Sequence, residues 1–551
     1  MRAADGICLA LRKGNRLTIS PGSGIIRQSR DFLKETSVKK KIKRFMTSRV
    51  VIVYFLIAVQ LFLIFWMAVG FSSRFYFYSL LTSLISLVFL LYLMRSSHNM
   101  PYKIAWMAVA FVFPVFGVAL YLIFGGNRLS SHRKRKMRFM NKALKKAAAL
   151  EKGDREKLEA ESPSAARQSK YLESASFTPV SGNCETLYFA SGEEMFPVLL
   201  EELGKAERYI FLEYFIIGEG EMWDAVHGIL LEKVRQGVDV RVIYDDVGCA
   251  VSVDRHFDAA LRAEGIDCRI FQRFVPFLTA RQNNRDHRKI CVIDGITSFT
   301  GGVNLADEYI NTVKRFGYWK DTAVMIRGRA SWSFTSMFLT MWDYLCGNGG
   351  DGQDDYSAFL PPPEAWDGVR GSGWVHPYTD TPMDGEPVGE NVYLGLIQQA
   401  KKYVWITTPY LIVDELMERS LLHAARCGVD VRIVTPGIPD KLLINETTKN
   451  CYPSLLAGGV KIYEYTPGFV HAKGFLCDDE FAVVGSVNLD YRSLYLHFEC
   501  GAWMYRTDCL PAVKRDFEET LAASRLLTEP DKISGIRKLF RASLDFIAPL
   551  L

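Results

Sequence analysis

The residues of this sequence with the clearest capacity for chemistry are two histidine–lysine pairs. His287 and Lys289 are followed by Asp294, Gly301, Gly302 and Asn304. His471 and Lys473 are followed by Asp478, Gly485, Ser486 and Asn488. From histidine to asparagine the two copies keep a constant offset of 184 residues, which marks one structural unit used twice. A single His-x-Lys on a strand is ordinarily surface decoration. Duplication with the same distal Gly-x-x-Asn turns it into a candidate active site.

An imidazole beside a fixed ammonium is a nucleophile or proton carrier next to positive charge. Two such units facing each other would gather two imidazoles, two ammoniums and two carboxamides, a set that suits a phosphodiester. Lys289, Lys473, Asn304 and Asn488 would hold the non-bridging oxygens and stabilise the pentacoordinate state. One histidine would attack phosphorus and form a phospho-histidine. The other would protonate the departing oxygen and then deprotonate the incoming alcohol. The cations are side chains, so the scheme requires no metal and no cofactor. Asp294 and Asp478 belong to the same repeated group and are counted with the histidines and lysines as catalytic candidates. They lie at turns, out of phase with the histidines, where forming and anchoring the turn suits them better than proton transfer.

The elements that must position these groups are short. ICVID and GFLCD are β-rich runs bounded by Asp294-Gly295 and Asp478-Asp479, and each is followed by a second apolar run, the pattern of a hairpin. Residues two apart on a strand share a face, so His287 and Lys289 would point into one site, and likewise His471 and Lys473. Strands and helices alternate ahead of each hairpin, and GVDVRV at 237 is answered by GVDVRI at 428. The prediction is an α/β fold with two sandwich halves, 175–346 and 376–530. They would pack about a pseudo-two-fold axis and share one active site at the seam. A Gly/Pro-rich linker, 347–375, would join them. The first half carries extra residues before its histidine. That segment, Gln272–Arg285, includes Phe274, Val275, Pro276, Phe277 and Leu278, and it would either close over a lipid or pack locally.

The paired pattern resembles the HKD motifs of the phospholipase D superfamily. From about Val50 onward the chain resembles the bacterial cardiolipin synthases within it. The resemblance is carried by FLEYFIIGEG (211–220), GVDVRVIYDDVG (237–248), GGVNLADEYIN (301–311), GYWKDTAVMIRG (317–328), GSVNLDYRSLYLHFE (485–499) and the terminal APLL. It implies transfer of a phosphatidyl group between two phosphatidylglycerol molecules, with release of glycerol and a phosphatidyl-histidine on the way. His287 is then the nucleophile and His471 the acid and base. The partners are phosphatidylglycerol and anionic membrane lipids, not nucleic acid. It also implies a downstream carboxylate that orients each imidazole: Asp321 follows His287, and Glu499 follows His471. Asp490, Arg492 and Ser493 would lie near the site. The rival readings are a phospholipase D-type hydrolase, a membrane-tethered nuclease and a scaffold. A nuclease should show a basic groove with stacking aromatics, and a scaffold needs neither histidine.

Composition bounds the rest. The net charge is only +6, but basic residues crowd around apolar runs near the N-terminus. Eleven scattered cysteines without metal-type spacing fit reduced thiols facing a cytosol. Residues 1–49 are basic, with Lys39, Lys40, Lys41, Lys43, Arg44 and Arg49 closing the stretch. They fit either a mobile arm on anionic lipid or an overcalled start, with Met46 the real one. Val50–Gly70, Phe75–Met94 and Ile104–Phe124 are each long enough to cross a bilayer. Basic residues before 50, between the second and third runs and after the third all belong inside. Three full crossings would violate that, and the third run carries Pro114 and Gly117. The expectation for 50–126 is two crossings plus a third segment that enters and returns. The catalytic region would face the cytoplasm of a bacterial cell membrane. A charged connector, 127–174, and an amphipathic tail, 531–551, complete the chain; the tail would lie on the membrane or dock on the catalytic body.

Overall fold

The computed structural model describes residues 62, 75–96, 100–125, 131–273, 283–346 and 355–548. The basic arm 1–49, the first apolar run except Phe62, the apolar tip 274–282 and residues 347–354 lie outside the described residues.

Two mixed sheets form the body. In the first, β3 (Tyr209–Tyr214), β4 (Asp239–Asp245) and β5 (Asp267–Phe271) run parallel. β6 (Lys289–Ile293) pairs antiparallel with β3. It is followed across the sheet by β7 (Thr297–Gly301), β9 (Ala323–Arg327) and β2 (Glu185–Phe189). The second sheet repeats this order with β11 (Tyr403–Thr407), β12 (Asp430–Pro436), β13 (Lys461–Tyr465), β15 (Gly474–Cys477), β16 (Phe481–Gly485), β17 (Glu499–Tyr505) and β10 (Trp374–Asp380). It gains β1 (Ser181–Gly182) and β18 (Ser524–Leu527) at its two edges. The halves are therefore one topology used twice. Both predicted hairpins form, β6–β7 and β15–β16. Their turns place Asp294, Asp478 and Asp479 at φ of 54°, 55° and 62°, a left-handed conformation that short polar side chains tolerate.

The inner faces of the sheets share one core. Ile290, Val292, Val324 and Ile326 of the first half pack in a cluster with Leu476, Val484, Ala502 and Met504 of the second. The helix Ser331–Cys346 joins that cluster through Trp332, Phe334 and Phe338. Nearly every residue is buried, and the hydroxyls of Thr335, Ser336 and Thr340 are satisfied by carbonyls four residues back in the same helix. Amphipathic helices cover the outer faces, Gly192–Gly204 and Glu221–Arg235 on the first sheet, Val388–Gln399 and Glu415–Arg426 on the second.

The charged connector is part of this body. Its helices are Ser131–Ala148, Arg155–Glu161 and Pro163–Ser176. The indole of Trp332 donates to the carbonyl of Ala147 at 3.0 Å, and Arg329 reaches Glu151 at 2.9 Å. Gln168 accepts from the Trp503 indole and donates to the carbonyl of Val392, both at 3.0 Å. Apolar residues at helical spacing, Ala165, Ala166 and Leu172, are buried. The connector therefore touches both halves.

Near the N-terminus, Phe75–Met94 is one helix, and the third apolar run is broken into Met100–Val112 and Pro114–Leu120. Proline lacks the N–H that a continuous helix needs and drives the preceding residue out of helical geometry; Phe113 stands at φ −128°, ψ 77°. The run doubles back, so that the Tyr102 hydroxyl donates to the carbonyl of Gly125 at 3.0 Å. Phe89, Leu93, Trp106, Ala110 and Tyr121 pack it against the preceding helix. Among the described residues, no helix is long and apolar enough to cross a membrane. The tail helix Gly535–Ile547 docks on Leu442–Thr448, with Arg537 and Arg541 on Glu446. Its Ile536, Leu539 and Phe540 remain exposed beside Leu442 and Leu443.

Candidate active site

Each histidine hangs on the backbone of the opposite half. The N–H of His287 donates to the carbonyl of Phe498 at 2.9 Å, and the N–H of Phe498 donates to Arg285 at 2.8 Å. The N–H of His471 donates to the carbonyl of Lys320 at 2.7 Å. Just before it, β14 (Gly468–Val470) runs parallel to β8 (Tyr318–Lys320). Short strands from the two halves are thus interleaved at the seam.

That exchange corrects the expected carboxylate pairing. Asp321 follows β8, which lies beside the strand that leads to His471. It therefore meets His471, Nδ1 to Oδ2 at 2.6 Å, and not His287. Glu499 opens β17 beside the segment holding His287, and both its oxygens stand 3.0 Å from His287 Nδ1. The orienting acids are crossed between halves. An ionised carboxylate only accepts, so each Nδ1 carries the proton and each Nε2 keeps its lone pair.

The electrostatics follow from burial. Desolvation lowers His287 to about 3, helped by Lys289 and opposed by Glu499. Desolvation and Lys473 lower His471 to about 4, against the pull of Asp321. Burial pushes both carboxyls up, but their histidines outweigh it and hold Glu499 and Asp321 below the usual carboxylate range. Burial brings Lys289 down to about 8 and Lys473 to about 7. Near neutrality the site therefore holds neutral imidazoles, ionised carboxylates and two lysines close to losing their protons. Lys289 of one half also lowers His471 and Lys473 of the other, so both motifs lie in one field. Each ammonium is fixed by the carbonyl of its own histidine, Lys289 on His287 at 2.5 Å and Lys473 on His471. Aromatic rings wall the site and cause the desolvation. Phe215 lies 5.0 Å from the His287 ring; Trp319 and Tyr309 lie 5.3 and 5.5 Å from that of His471.

Other expected residues stand elsewhere. Asp294 sits past the far end of β6 and accepts the N–H groups of Glu207, Arg208 and Tyr209, each at 2.8 Å. Asp478 does the same for Lys401, Lys402 and Tyr403 at 2.6–2.8 Å. Neither joins the histidines; each ties a hairpin turn to the start of the neighbouring parallel strand. Asn304 accepts from the N–H of Ile216 at 3.0 Å and donates to the Tyr309 hydroxyl at 2.6 Å, which fixes its amide within the wall. Asn488 is buried, and its amide oxygen, an acceptor, has no hydrogen-bond partner. Asp490 caps the helix Tyr491–Tyr495 by accepting from the N–H of Ser493 at 2.9 Å.

Three features escape the sequence pattern. Asp286 and Arg288 alternate with His287 and Lys289, so they point away from the site. There Arg288 pairs with Glu213 and with Asp286, and Arg285 pairs with Asp245 at 3.4 Å. The Ser486 hydroxyl donates to Glu499, whereas its counterpart Gly302 leaves room for the shorter Asp321. His497, two residues before Glu499, lies with its ring 5.5 Å from that of His287. Two-residue alternation from Glu499 was the available signal for it.

The glycine is a sharp test of the crossed geometry. A Cβ at residue 302 would lie 2.0 Å from Asp321 Oδ1, and Asp321 is fully buried. Gly302→Ala is therefore expected to displace the acid behind His471 and lower kcat on the order of 10²-fold. Steady-state rates of the folded variant check this; an unchanged kcat refutes it.

Comparison with known proteins agrees with the geometry. The family model described as cardiolipin synthase, PLD-like domain, matches residues 199–332 and 393–521, which contain both histidine–lysine pairs. The phospholipase D–nuclease N-terminal model matches residues 83–126. An uncharacterized protein of Streptococcus mutans is 45% identical over 84% of this chain and 99% of its own length. The cardiolipin synthase of Geobacillus kaustophilus is 37% identical over 79% of this chain and 86% of its own length. That of Alkalihalophilus pseudofirmus is 35% identical over 79% and 85%. Among solved structures, the phosphatidylserine synthase of Haemophilus influenzae superposes with a TM-score of 0.51 at 14% identity, over 70% of this chain and 99% of that one, a likeness of fold. With both halves matched and relatives of this similarity, the chain belongs to the cardiolipin synthase family of the phospholipase D superfamily.

Proposed function

We propose that the protein transfers a phosphatidyl group from one phosphatidylglycerol to a hydroxyl of another, giving cardiolipin and glycerol. The observation that carries this reading is the pair of buried imidazoles, each facing a carboxylate of the opposite half, with two buried lysines in one aromatic-walled site. His287 Nε2 attacks phosphorus while His471 gives a proton to the departing glycerol oxygen. His471 then takes the proton of the second lipid's hydroxyl, which attacks phosphorus and frees His287. In the empty site His471 is neutral. An arriving phosphodiester carries negative charge, which offsets the burial and the Lys473 field, so the proton is gained as substrate enters. Lys289 and Lys473 serve the non-bridging oxygens. Asp294 and Asp478 act as anchors.

Phosphatidylglycerol labelled in glycerol and acyl parts tests the reading. Cardiolipin plus free glycerol, lost in His287→Ala and His471→Ala, supports it. Phosphatidic acid plus glycerol without cardiolipin would make the enzyme a hydrolase. The pH profile gives a further expectation. The ammonium forms hold the phosphate, so kcat/KM, which reports the free enzyme, falls as pH rises through about 7 and 8, where Lys473 and then Lys289 lose their protons. Lys473→Arg keeps its charge and moves that limb upward. A level profile to strongly alkaline pH would refute the role.

The same reading sets the enzyme at the bacterial cytoplasmic membrane. The crossings we propose are Val50–Gly70, which except for Phe62 lies outside the described residues, and the run Phe75–Met94 together with its flanking residues, since the described helix does not by itself meet the length and apolarity of a span; Ile104–Phe124 would enter and return, and the catalytic body would face the cytoplasm. Supporting it are the flanking basic clusters, the doubling back at Pro114 and the exposed Leu84, Val88, Leu91, Phe111 and Leu122. In intact cells a membrane-impermeant thiol reagent should label Ser72→Cys and spare Ser97→Cys; the reverse pattern sinks the topology.

A further inference from the structure

His497 has no part in the chemistry above, yet it is buried at 9% exposure beside the nucleophile. Neither of its ring nitrogens has a hydrogen-bond partner. Its Nδ1 stands 3.6 Å from Glu499 Oε1. One ligand atom each from His287, His497 and Glu499 lies within 4.8 Å of the others, and all three residues are buried. We infer that His287, His497 and Glu499 form an inhibitory site for a borderline transition-metal cation, zinc first, and that this site switches off the nucleophile. The inference rests on the transferase reading for its consequence, though not for the binding itself.

Two imidazoles and a carboxylate are a donor set for zinc and its first-row neighbours. Tetrahedral zinc, with bonds of about 2.0–2.1 Å, sets its ligand atoms about 3.3 Å apart; His287 Nδ1 and Glu499 stand at 3.0 Å and His497 Nδ1 at 3.6 Å from Glu499, so the adjustment falls on His497. The ring that must turn is that of His497, whose nitrogens make no hydrogen bond. Glu499 and His287 are already paired, and Ser486 steadies Glu499 from behind. The effect on chemistry follows from proton placement. In the active arrangement His287 Nδ1–H donates to Glu499 and Nε2 has the lone pair. A metal on Nδ1 takes that lone pair position, so the single proton of the neutral ring moves to Nε2. No proton is gained or lost overall, and the attacking atom no longer has an electron pair to offer. Lys289 and Lys473 oppose a dication, and the Glu499 carboxylate among the three ligands opposes them in turn.

The full-length protein in phosphatidylglycerol-containing micelles serves for the test, with buffered zinc chloride as inhibitor and cobalt(II) as spectroscopic probe. Zinc is expected to slow transfer at least about tenfold, reversed by a chelator. His497→Gln should raise the zinc concentration for half-inhibition by at least about tenfold. Cobalt should give the visible bands of a four-coordinate N/O site, lost in His497→Gln and kept in Cys427→Ala, which removes the exposed Cys427–His423 pair. As a check independent of any variant's folding, zinc should protect His287, but not His471, from diethyl pyrocarbonate in the wild-type protein. Equal zinc inhibition in His497→Gln, no cobalt bands, or no protection of His287 would each overturn the inference. An active transferase indifferent to zinc sinks the metal site alone. A protein that binds cobalt through His497 but makes no cardiolipin sinks the transferase reading alone.

Discussion

His287→Ala abolishes formation of the covalent intermediate and lowers transfer by at least about 10⁴-fold, whereas His471→Ala blocks transfer at a different step. The two variants separate on substrates that differ in leaving group. Glycerol leaves as a strongly basic oxygen and needs the proton of His471. A p-nitrophenyl phosphatidyl ester leaves without one. With that ester, His471→Ala should still release a burst of nitrophenol and retain radiolabelled lipid on the protein, while His287→Ala should do neither. If the burst survives in His287→Ala and vanishes in His471→Ala, the two roles are reversed. The anchoring is not equivalent. Glu499 is held by Ser486 and grips His287 through both oxygens, while Asp321 meets His471 through one.

The crossed carboxylates give the second large effect. Glu499→Gln removes the acceptor that keeps the proton on His287 Nδ1, and the expected loss is on the order of 10³–10⁴-fold. Asp321→Asn should cost a similar factor through His471. The discriminating result is which histidine each acid serves. Glu499→Gln should depress the nitrophenyl burst, and Asp321→Asn should leave it and impair only glycerol release. In double variants, Glu499→Gln should add little to His287→Ala, because the two act as a unit. Had each half supplied its own acid, the burst would follow Asp321. That outcome would refute the interleaved seam.

The sequence made the site legible where its signal was local and repeated. The constant offset from His287–Asn304 to His471–Asn488 revealed the duplication, and period-two alternation placed each histidine with its lysine. Asp294 and Asp478, counted as catalytic candidates by their motif, instead bind backbone N–H groups at their turns, which their position out of phase with the strand already suggested. The pairing of Asp321 and Glu499 was not legible. It depends on β8 running beside β14 and Asp286 bridging to Phe498. No spacing within one half encodes a contact made by the other. The packed connector was hidden for a related reason: its charge dominates the composition, while its few apolar residues find cores far along the chain, at Trp332 and Trp503.

Because each histidine borrows both its strand partner and its acid across the seam, neither half is a smaller version of the enzyme. If the gene is cut between the codons for residues 346 and 374, either fragment alone should be inert, with an imidazole that has lost its tautomer. Co-expressed, the two should regain transfer in proportion to how much of them associates, so that activity becomes a readout of assembly. A hybrid that takes its second half from a relative must then bring Ser486 and Glu499 along together to suit the resident His287. Compatibility between parents is decided by residues that never share a half with the histidine they serve.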